Sequence, residues 1–482
     1  MKQFITAKFH VSWLIAVSSV GVFFGVVLAA LPVGRLFTSV SWLLTGIGLC
    51  LFASIKQRRY VVPIAVVGGL LIGVWRGAVE QTALDSYKNV FGKVILVRGV
   101  VSEDPDVDKK GRAILRVKNV RYGGQDLTGV LWVITSKVTE VRRSDSVILE
   151  GRLIEGFGTF AASMHDASVK QVTRGNDAAL AVRDWFTKYV RLAISEPESS
   201  LGIGYLVGQR RSLPEELDQA LKTAGLTHIV VASGYNLTIL VRFARRFFMR
   251  ISKYSAALAS SGLIVSFIAI TGMSPSMSRA GLIAFLSLAA WYYGRKFHPL
   301  VLLPFAVAVT VLFNPSYAWG DVGWQLSFAA FAGVMILAPL LQAYYFGAKK
   351  PGALRQILGE TVSATICTLP IILYYFGQMS NVAVVANLLV LPLVPLAMLL
   401  TFIAGVGAFI IPPLAIAFGF PAQVLLMYMV QIAERLAGLP WAVTEIKIDS
   451  WQVIGMYCLL IAVAAYMWRK TKLSLRESNL VE

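Results

Sequence analysis

The chain of 482 residues is 56% apolar and 15% charged, and long uncharged runs recur along it; soluble globular proteins run at about 45–50% and about 25%. Composition excludes an ordinary soluble protein and points to a multi-pass membrane protein. The excess of 45 Lys+Arg over 26 Asp+Glu fits either a polyanionic partner or basic loops that fix orientation in a membrane.

The first apolar run, Val11 to Leu31, follows Lys2 and Lys8 in the manner of a signal peptide, but two more runs, Trp42 to Ile55 and Val61 to Val79, come directly after it. Residues 1–80 are therefore read as N-terminal spanning helices. From 88 to 175 the chain turns polar, with 15 Lys+Arg and 10 Asp+Glu. Five β-branched, partly alternating segments, "KVILVRGVVSE", "GRAILRVKNVRY", "LTGVLWVITS", "SVILEGRLIEG" and "ASVKQVTR", are separated by turn-formers such as "DPDVDKKG" and "YGGQD". Strands of this size predict a small barrel or sandwich, with an oligonucleotide-binding (OB-like) barrel as one member of that set. Arg112, Arg116, Lys118 and Arg121 crowd one strand in a way that suits a phosphate backbone, while Tyr122, Trp132, Phe157 and Phe160 are the few rings available for stacking. A solvated structural module is the plainer reading of the same charges.

Residues 176–224 read as amphipathic helices, 225–470 as a second membrane block and 471–482 as a tail. Candidate spans in the block are 226–243, 254–273, 279–294, 299–313, 325–342, 357–376, 382–400, 414–437 and 451–468, which brings the total to twelve. Several fall short of the ~20 residues needed to cross about 30 Å of hydrocarbon, so some are expected to be broken or re-entrant. Twelve spans put Lys56/Arg58/Arg59, the run Arg242 to Lys253, Arg295-Lys296, Lys349-Lys350 with Arg355, and Arg469/Lys470/Lys472/Arg476 all on the cytoplasmic side. Both termini are then cytoplasmic and 88–175 lies outside. Cys50, Cys367 and Cys458 lie inside apolar runs, so neither a disulfide framework nor a thiol metal site is expected.

Polar groups interrupt the block at four places. In "GLTHIVVASGYNLTILVRFARRF", Gly225 to Phe247, the residues His228, Ser233, Asn236 and Thr238 form no single stripe at about 100° per residue. Either protein surrounds this helix, or it breaks near Ser233-Gly234 and its freed backbone groups face a wet cavity. Ser, Thr and Gly are ordinary packing residues between membrane helices; Asn236 and His228 are costlier to bury. In "TGMSPSMSRAGLIAFL", Arg279 opens a span on the outer side, against both the macrodipole and the usual charge bias. It either snorkels to the interface or faces a lumen as a partner for phosphate. In "NPSYAWGDVGWQLSFAAFAGV", Asp321 stands where it can cap the next helix, with Gln325 one turn on. In "TLPIILYYFGQMSNVAVVANLLVLPLVPLAM", Pro370, Pro392 and Pro395 interrupt apolar helices and Asn387 sits among Val and Leu.

In this order the segments resemble the ComEC family of competence proteins, which pass single-stranded DNA across the bacterial cytoplasmic membrane. The residues that carry the resemblance are "EPESSLGIGYLVGQRRSLPEELDQALKTAGLTHIVVASG"; Thr271, Gly272, Ser276, Arg279 and Ala280; Asn314, Pro315, Asp321, Gly323, Gln325, Leu326, Ser327 and Phe328; and the Leu-Pro, Tyr-Phe-Gly-Gln, Ala-Asn-Leu and Pro series over 369–395. They run from about 180 to 400. The family commonly carries His after its Ser-Gly turn, where this chain has Tyr235-Asn236. Some members continue into a metallo-β-lactamase-like domain; no His-x-His-x-Asp-His motif occurs here, so no nuclease is expected of this chain.

The resemblance implies a channel for single-stranded DNA whose path is lined around His228, Ser233, Asn236, Arg279, Asp321, Gln325 and Asn387, with Arg112, Arg116, Lys118 and Arg121 receiving the strand outside. It also implies a helicase-like motor inside and a DNA receptor outside, with membrane lipid around the helices. No Gly-x-x-x-x-Gly-Lys-Ser/Thr loop is present, so the pulling work is assigned to the motor. No cofactor, metal or enzymatic activity is expected. The sequence leaves open a pore within one chain or between two copies of a homodimer. Two rivals stand beside the channel. One is a transporter of a smaller anion or lipid-linked substrate. The other is an intramembrane serine protease using Ser233, disfavoured because Val231 replaces the expected glycine and His228 lies on the same segment.

Overall fold

The computed structural model describes residues 8–108, 111–136, 140–209, 213–230, 233–272, 275–295, 298–347 and 351–473. Lys296, Lys349, Lys350, Val231, Arg476 and the side chain of Ser276, all invoked above, lie outside the described residues. The chain divides into two compact units, Met1–Asp177 with His298–Gln325, and Ala178–Phe297 with Leu326–Glu482. Residues 298–325, read from sequence as part of the second membrane block, thus fold with the first unit.

The first unit opens with helices Val11–Ala29, Val40–Lys56 and Val62–Leu84. They form because each is a long run of apolar residues, and the first two have polar N-caps: His10 Nδ1 accepts from the Ser12 amide at 3.2 Å and Ser39 Oγ from the Ser41 amide at 3.4 Å. The first and third helices touch backbone to backbone. A Cβ on Gly21, Gly25, Gly69 or Gly73 would collide with the carbonyl of Val66, Leu70, Ser18 or Val22 respectively, the close approach that small residues permit between membrane helices. Helix Pro299–Phe313 packs on the first helix and is held by Arg76, which donates to the carbonyls of Leu312 (2.8 Å) and Phe313 (3.1 Å).

Between these helices lies the barrel: β1 Val94–Val101, β2 Asp106–Val107, β3 Ala113–Tyr122, β4 Gln125–Leu127, β5 Leu131–Thr135, β6 Ser146–Glu155 and β7 Ala162–Thr173. The five long strands are those expected, with β7 starting earlier because Ala162 to Ala167 pair in parallel with β5. β1 pairs with β3, β3 with β5, β5 with β7, β7 with β6, and β6 again with β1, which closes the ring and leaves the long strands no open edge. Alternation supplies the core: Val97, Leu115, Val117, Leu131, Val133, Leu149, Leu153 and Met164 are fully buried, joined by Tyr87 from the end of the preceding helix.

The second unit is helical. Helix Ala178–Ala193 is amphipathic as expected; helix Glu198–Val207 is buried at every residue and is a core element instead. Its glycines explain this, since Gly202 lies against Thr401 and Gly204 against Val230. Lys253–Thr271, Val394–Ile410 and Ala415–Ala437 pack against it, and Pro275–Tyr292, Ala353–Phe376, Ala383–Val390 and Ser450–Thr471 complete the unit's longer helices. Pro370 sits inside an unbroken helix, whereas at Pro392 the chain passes through a 3-10 turn, Leu391–Leu393. β8, Gln378–Ser380, pairs antiparallel with β9, Val443–Glu445.

Among the described residues, eight helices are long and apolar enough to cross a membrane. They correspond to eight of the twelve expected spans. The other four are shorter or more polar: Val40–Lys56, the pair Thr227–Val230 and Gly234–Phe248, Pro275–Tyr292, and Pro299–Phe313.

Candidate functional site

In the second unit the polar segment is two helices rather than one, as a break near Ser233-Gly234 requires. Ser233 has extended backbone (φ −119°, ψ 162°) and its Oγ accepts from the Asn236 amide at 3.4 Å, capping Gly234–Phe248. Asn236 is 0% exposed and holds the junction. Its Nδ2 donates to the carbonyls of Tyr205 (3.1 Å) and Ile229 (3.2 Å), and its Oδ1 accepts from the Ser233 hydroxyl (3.3 Å). The Ile229 carbonyl is one of those left without a helical partner where Thr227–Val230 ends, so the asparagine supplies what the break takes away. Thr238 Oγ1 donates back to the Gly234 carbonyl at 2.7 Å. None of these side chains offers a free nucleophile, and His228 faces elsewhere: its Nδ1 lies 3.1 Å from the Gly225 carbonyl, the geometry of a protonated Nδ1, with Nε2 left as acceptor on an exposed ring.

Two further elements meet this junction. The turn at Gly225, φ +72°, packs against Ala383, and one turn beyond stands Asn387, which is 4% exposed with no hydrogen-bond partner for its Oδ1 among the described residues. Tyr235 Oη donates to the Leu391 carbonyl at 3.3 Å, tying the junction to the Pro392 turn. On another side a Cβ on Gly234 would stand 3.4 Å from the Ala280 side chain. Arg279, the residue before that alanine, is 2% exposed and among the largest fully buried side chains, so it does not snorkel. The fold therefore gathers His228, Ser233, Asn236, Arg279 and Asn387 onto elements packed around one helix break. Of these groups the Arg279 guanidinium is the one that can stand in for water around an anion; the Asn387 oxygen and the His228 Nε2 are acceptors.

Asp321 and Gln325 belong to the first unit. Asp321 Oδ1 accepts from the Trp324 amide at 2.7 Å and caps helix Val322–Ala332 as the sequence suggests. Gln325 is partly exposed one turn on. The preceding turn, Tyr317–Gly320, is seated on the barrel: Gly158, φ +60°, and Gly320 approach so closely that a Cβ on Gly320 would strike the Gly158 carbonyl.

The barrel cations singled out from sequence are not equivalent. Arg112 is clamped by Asp108 and Asp166, each at 2.7 Å, and the Asp108 carboxylate holds its guanidinium pKa above the ordinary value. Arg116 pairs with Glu103 (3.2 Å) and Asp106 (3.3 Å) and lies 5.3 Å over the Trp132 ring, which itself packs with Phe157 and Phe160. Arg121 pairs with Asp126 at 2.6 Å, both well exposed. Only Lys118 of the four is exposed without such a partner.

Sequence reasoning missed the polar staple that closes the barrel's far end. Asp145, 2% exposed, accepts from the Arg142 amide (2.8 Å), Arg174 Nη1 (2.7 Å) and the Gly175 amide (3.2 Å), while Arg143 pairs with Asp177 at 2.9 Å. Asp145→Ala orphans the amides of Arg142 and Gly175 and releases a half-exposed Arg174, and is expected to cost about 2–3 kcal/mol. Limited proteolysis of the intact chain checks this, with cleavage within 88–177 rising at least tenfold over the native chain.

Among the described residues, eight helices long and apolar enough to cross a membrane, together with a small closed barrel, are the marks of a membrane protein. Over residues 205–470 the chain matches the family model described as Competence protein, and it belongs to that family. It is 27% identical over 214 residues to ComE operon protein 3 of Bacillus subtilis (strain 168), covering 44% of this chain and 27% of that one. It is likewise 27% identical over 158 residues to an uncharacterized protein of Aquifex aeolicus (strain VF5), covering 32% of this chain and 38% of that one. The chain thus spans well under half the length of these curated relatives. No solved structure matches it significantly.

Proposed function

We propose that this protein conducts single-stranded DNA across the cytoplasmic membrane during natural transformation. Membership of the competence family over 205–470 is the observation that carries the reading. The buried Arg279 next to a broken helix supports it. A conducted polyanion needs groups that replace part of its hydration yet bind weakly enough to release it, and a single cation among otherwise neutral polar groups meets that demand. The barrel, whose ring of five long strands is of the OB-like kind, stands on the outer face and both termini stand inside. The protein acts as a channel rather than an enzyme. A helicase-like motor on the cytoplasmic side pulls the strand, a receptor outside delivers it, and a homodimer is one assembly the channel can take.

The test is uptake of labelled single-stranded DNA by cells lacking the gene, restored with the native chain or with Arg279→Glu. Deletion is expected to abolish uptake, and the charge-reversed chain to restore less than about 1% of it. Normal uptake in both strains would end the channel reading.

A further inference from the structure

At one end of the second unit three helices converge. Ala338–Phe346 packs against both Ala353–Phe376 and Ser450–Thr471, and where they meet, cations lie over rings. Lys470 Nζ stands 5.7 Å from the centre of the Tyr344 ring and 5.8 Å from that of Tyr466, and donates to Tyr466 Oη at 3.4 Å. The Arg355 guanidinium stands 4.5 Å over Phe346. Neither cation has an ion pair among the described residues; the nearest acid along the helix of Arg355, Glu360, accepts from Gln356 instead. A ring orders a cation without cancelling its charge, as a carboxylate would.

The depth of this corner follows from the far ends of the same helices. Ala353–Phe376 finishes in Tyr374, Tyr375 and Phe376, and Ser450–Thr471 begins at Trp451 and carries Trp468 near its end. Arg355 and Tyr375 are about 30 Å apart along their helix, and Trp451 and Trp468 about 26 Å along theirs. Those spans match the hydrocarbon core of a bilayer, about 30 Å, with Trp and Tyr at its two boundaries. The near end carries Arg355, Arg469, Lys470 and Lys472, all exposed, whereas the far end mixes Glu445, Lys447 and Asp449. Helix Ser450–Thr471 has a single buried residue, Met467, so its flank is left to lipid. Leu459, Val463 and Tyr466 are exposed on the face that Lys470 continues.

We propose that this corner is a binding site for an anionic phospholipid: Lys470 and Arg355 take the headgroup phosphate, and an acyl chain runs down the stripe Tyr466, Val463 and Leu459. Charge complementarity selects an anionic headgroup, and the apolar stripe below the cations selects a lipid over a free phosphate.

The experiment holds the full chain in detergent with photoactivatable phosphatidylglycerol or phosphatidylcholine and maps the labelled peptides. Phosphatidylglycerol is expected to label 338–346 and 450–471 at least about tenfold more than phosphatidylcholine does, and Lys470→Gln with Arg355→Gln to remove at least about nine-tenths of that labelling. Lys447→Gln, an equal change at the far end, is expected to alter it less than about twofold. Both cations are exposed, so the lipid-free melting temperature of the double variant is expected to match that of the native chain, which separates lost binding from lost folding. Equal labelling by the two lipids, or by the native chain and the double variant, would overturn the proposal. So would full displacement of the label by an equal concentration of inorganic phosphate, the mark of a free-anion site. Leu459→Cys with Cys458→Ser tests for a second copy on the same flank: no disulfide-linked dimer is expected in oxidised membranes, and its formation there would assign the flank to a copy of this chain and overturn the lipid site.

Discussion

Asn236→Leu is expected to abolish DNA uptake and to destabilise the second unit by about 2–4 kcal/mol, more than any other single substitution around the helix break. The leucine fits the volume but removes both donors from the carbonyls of Tyr205 and Ile229 and the acceptor from Ser233. A buried group left unsatisfied costs about 1–3 kcal/mol, while interhelical hydrogen bonds within membranes average about 0.6 and reach about 1.7 kcal/mol. Two orphaned carbonyls together give the range stated. Ser233→Ala gives up only the longer contacts of 3.3 and 3.4 Å and is expected to cost under about 1 kcal/mol. Transformation frequency and thermal unfolding of the purified chain check the pair. Asn236→Leu behaving like Ser233→Ala would show that the junction holds without its asparagine.

Gly73→Leu is the second large effect. Its side chain would be built into the Val22 carbonyl of the first helix, and the two helices can accept it only by moving apart along the line where Gly21, Gly25 and Gly69 also touch backbone. Overpacking costs typically about 1–3 kcal/mol when neighbours can shift; a backbone oxygen on a rigid helix cannot, so the unit is expected not to assemble. Gly48→Leu is the matched control, since nothing lies within 4 Å of a Cβ there, and it is expected to be neutral. Immunoblots of membrane fractions read both, with the Gly73 variant below about 10% of native abundance.

The barrel was legible because its strands partly alternate: inward Val97, Leu115 and Leu149 each have a polar neighbour turned the other way, Arg98, Arg116 and Glu150, and turn-formers mark each boundary. The break at Ser233 and the cap at Asp321 were legible for a related reason, since each is a local bargain between a side chain and the amide three residues on. What sequence concealed was long-range. Arg112 meets Asp166 from 54 positions away, and Arg143 meets Asp177 from 34, so a row of arginines that looked available proved largely spoken for. Glu198–Val207 looked amphipathic from its neighbours and is buried because glycines admit other chains on its sides. Pro370 promised a break that its helix does not make.

The barrel is gripped twice. Helix Val62–Leu84 runs into it almost without a joint, with Tyr87 sunk in its core, and the Gly158 loop is pinned against Gly320 on another side. A bead on a string would turn to follow whatever it had caught; a bead gripped at two points cannot. A force applied to the barrel would therefore be borne by the first unit's own helices as leverage, and the barrel's orientation on them is fixed by contact and not by chance tumbling.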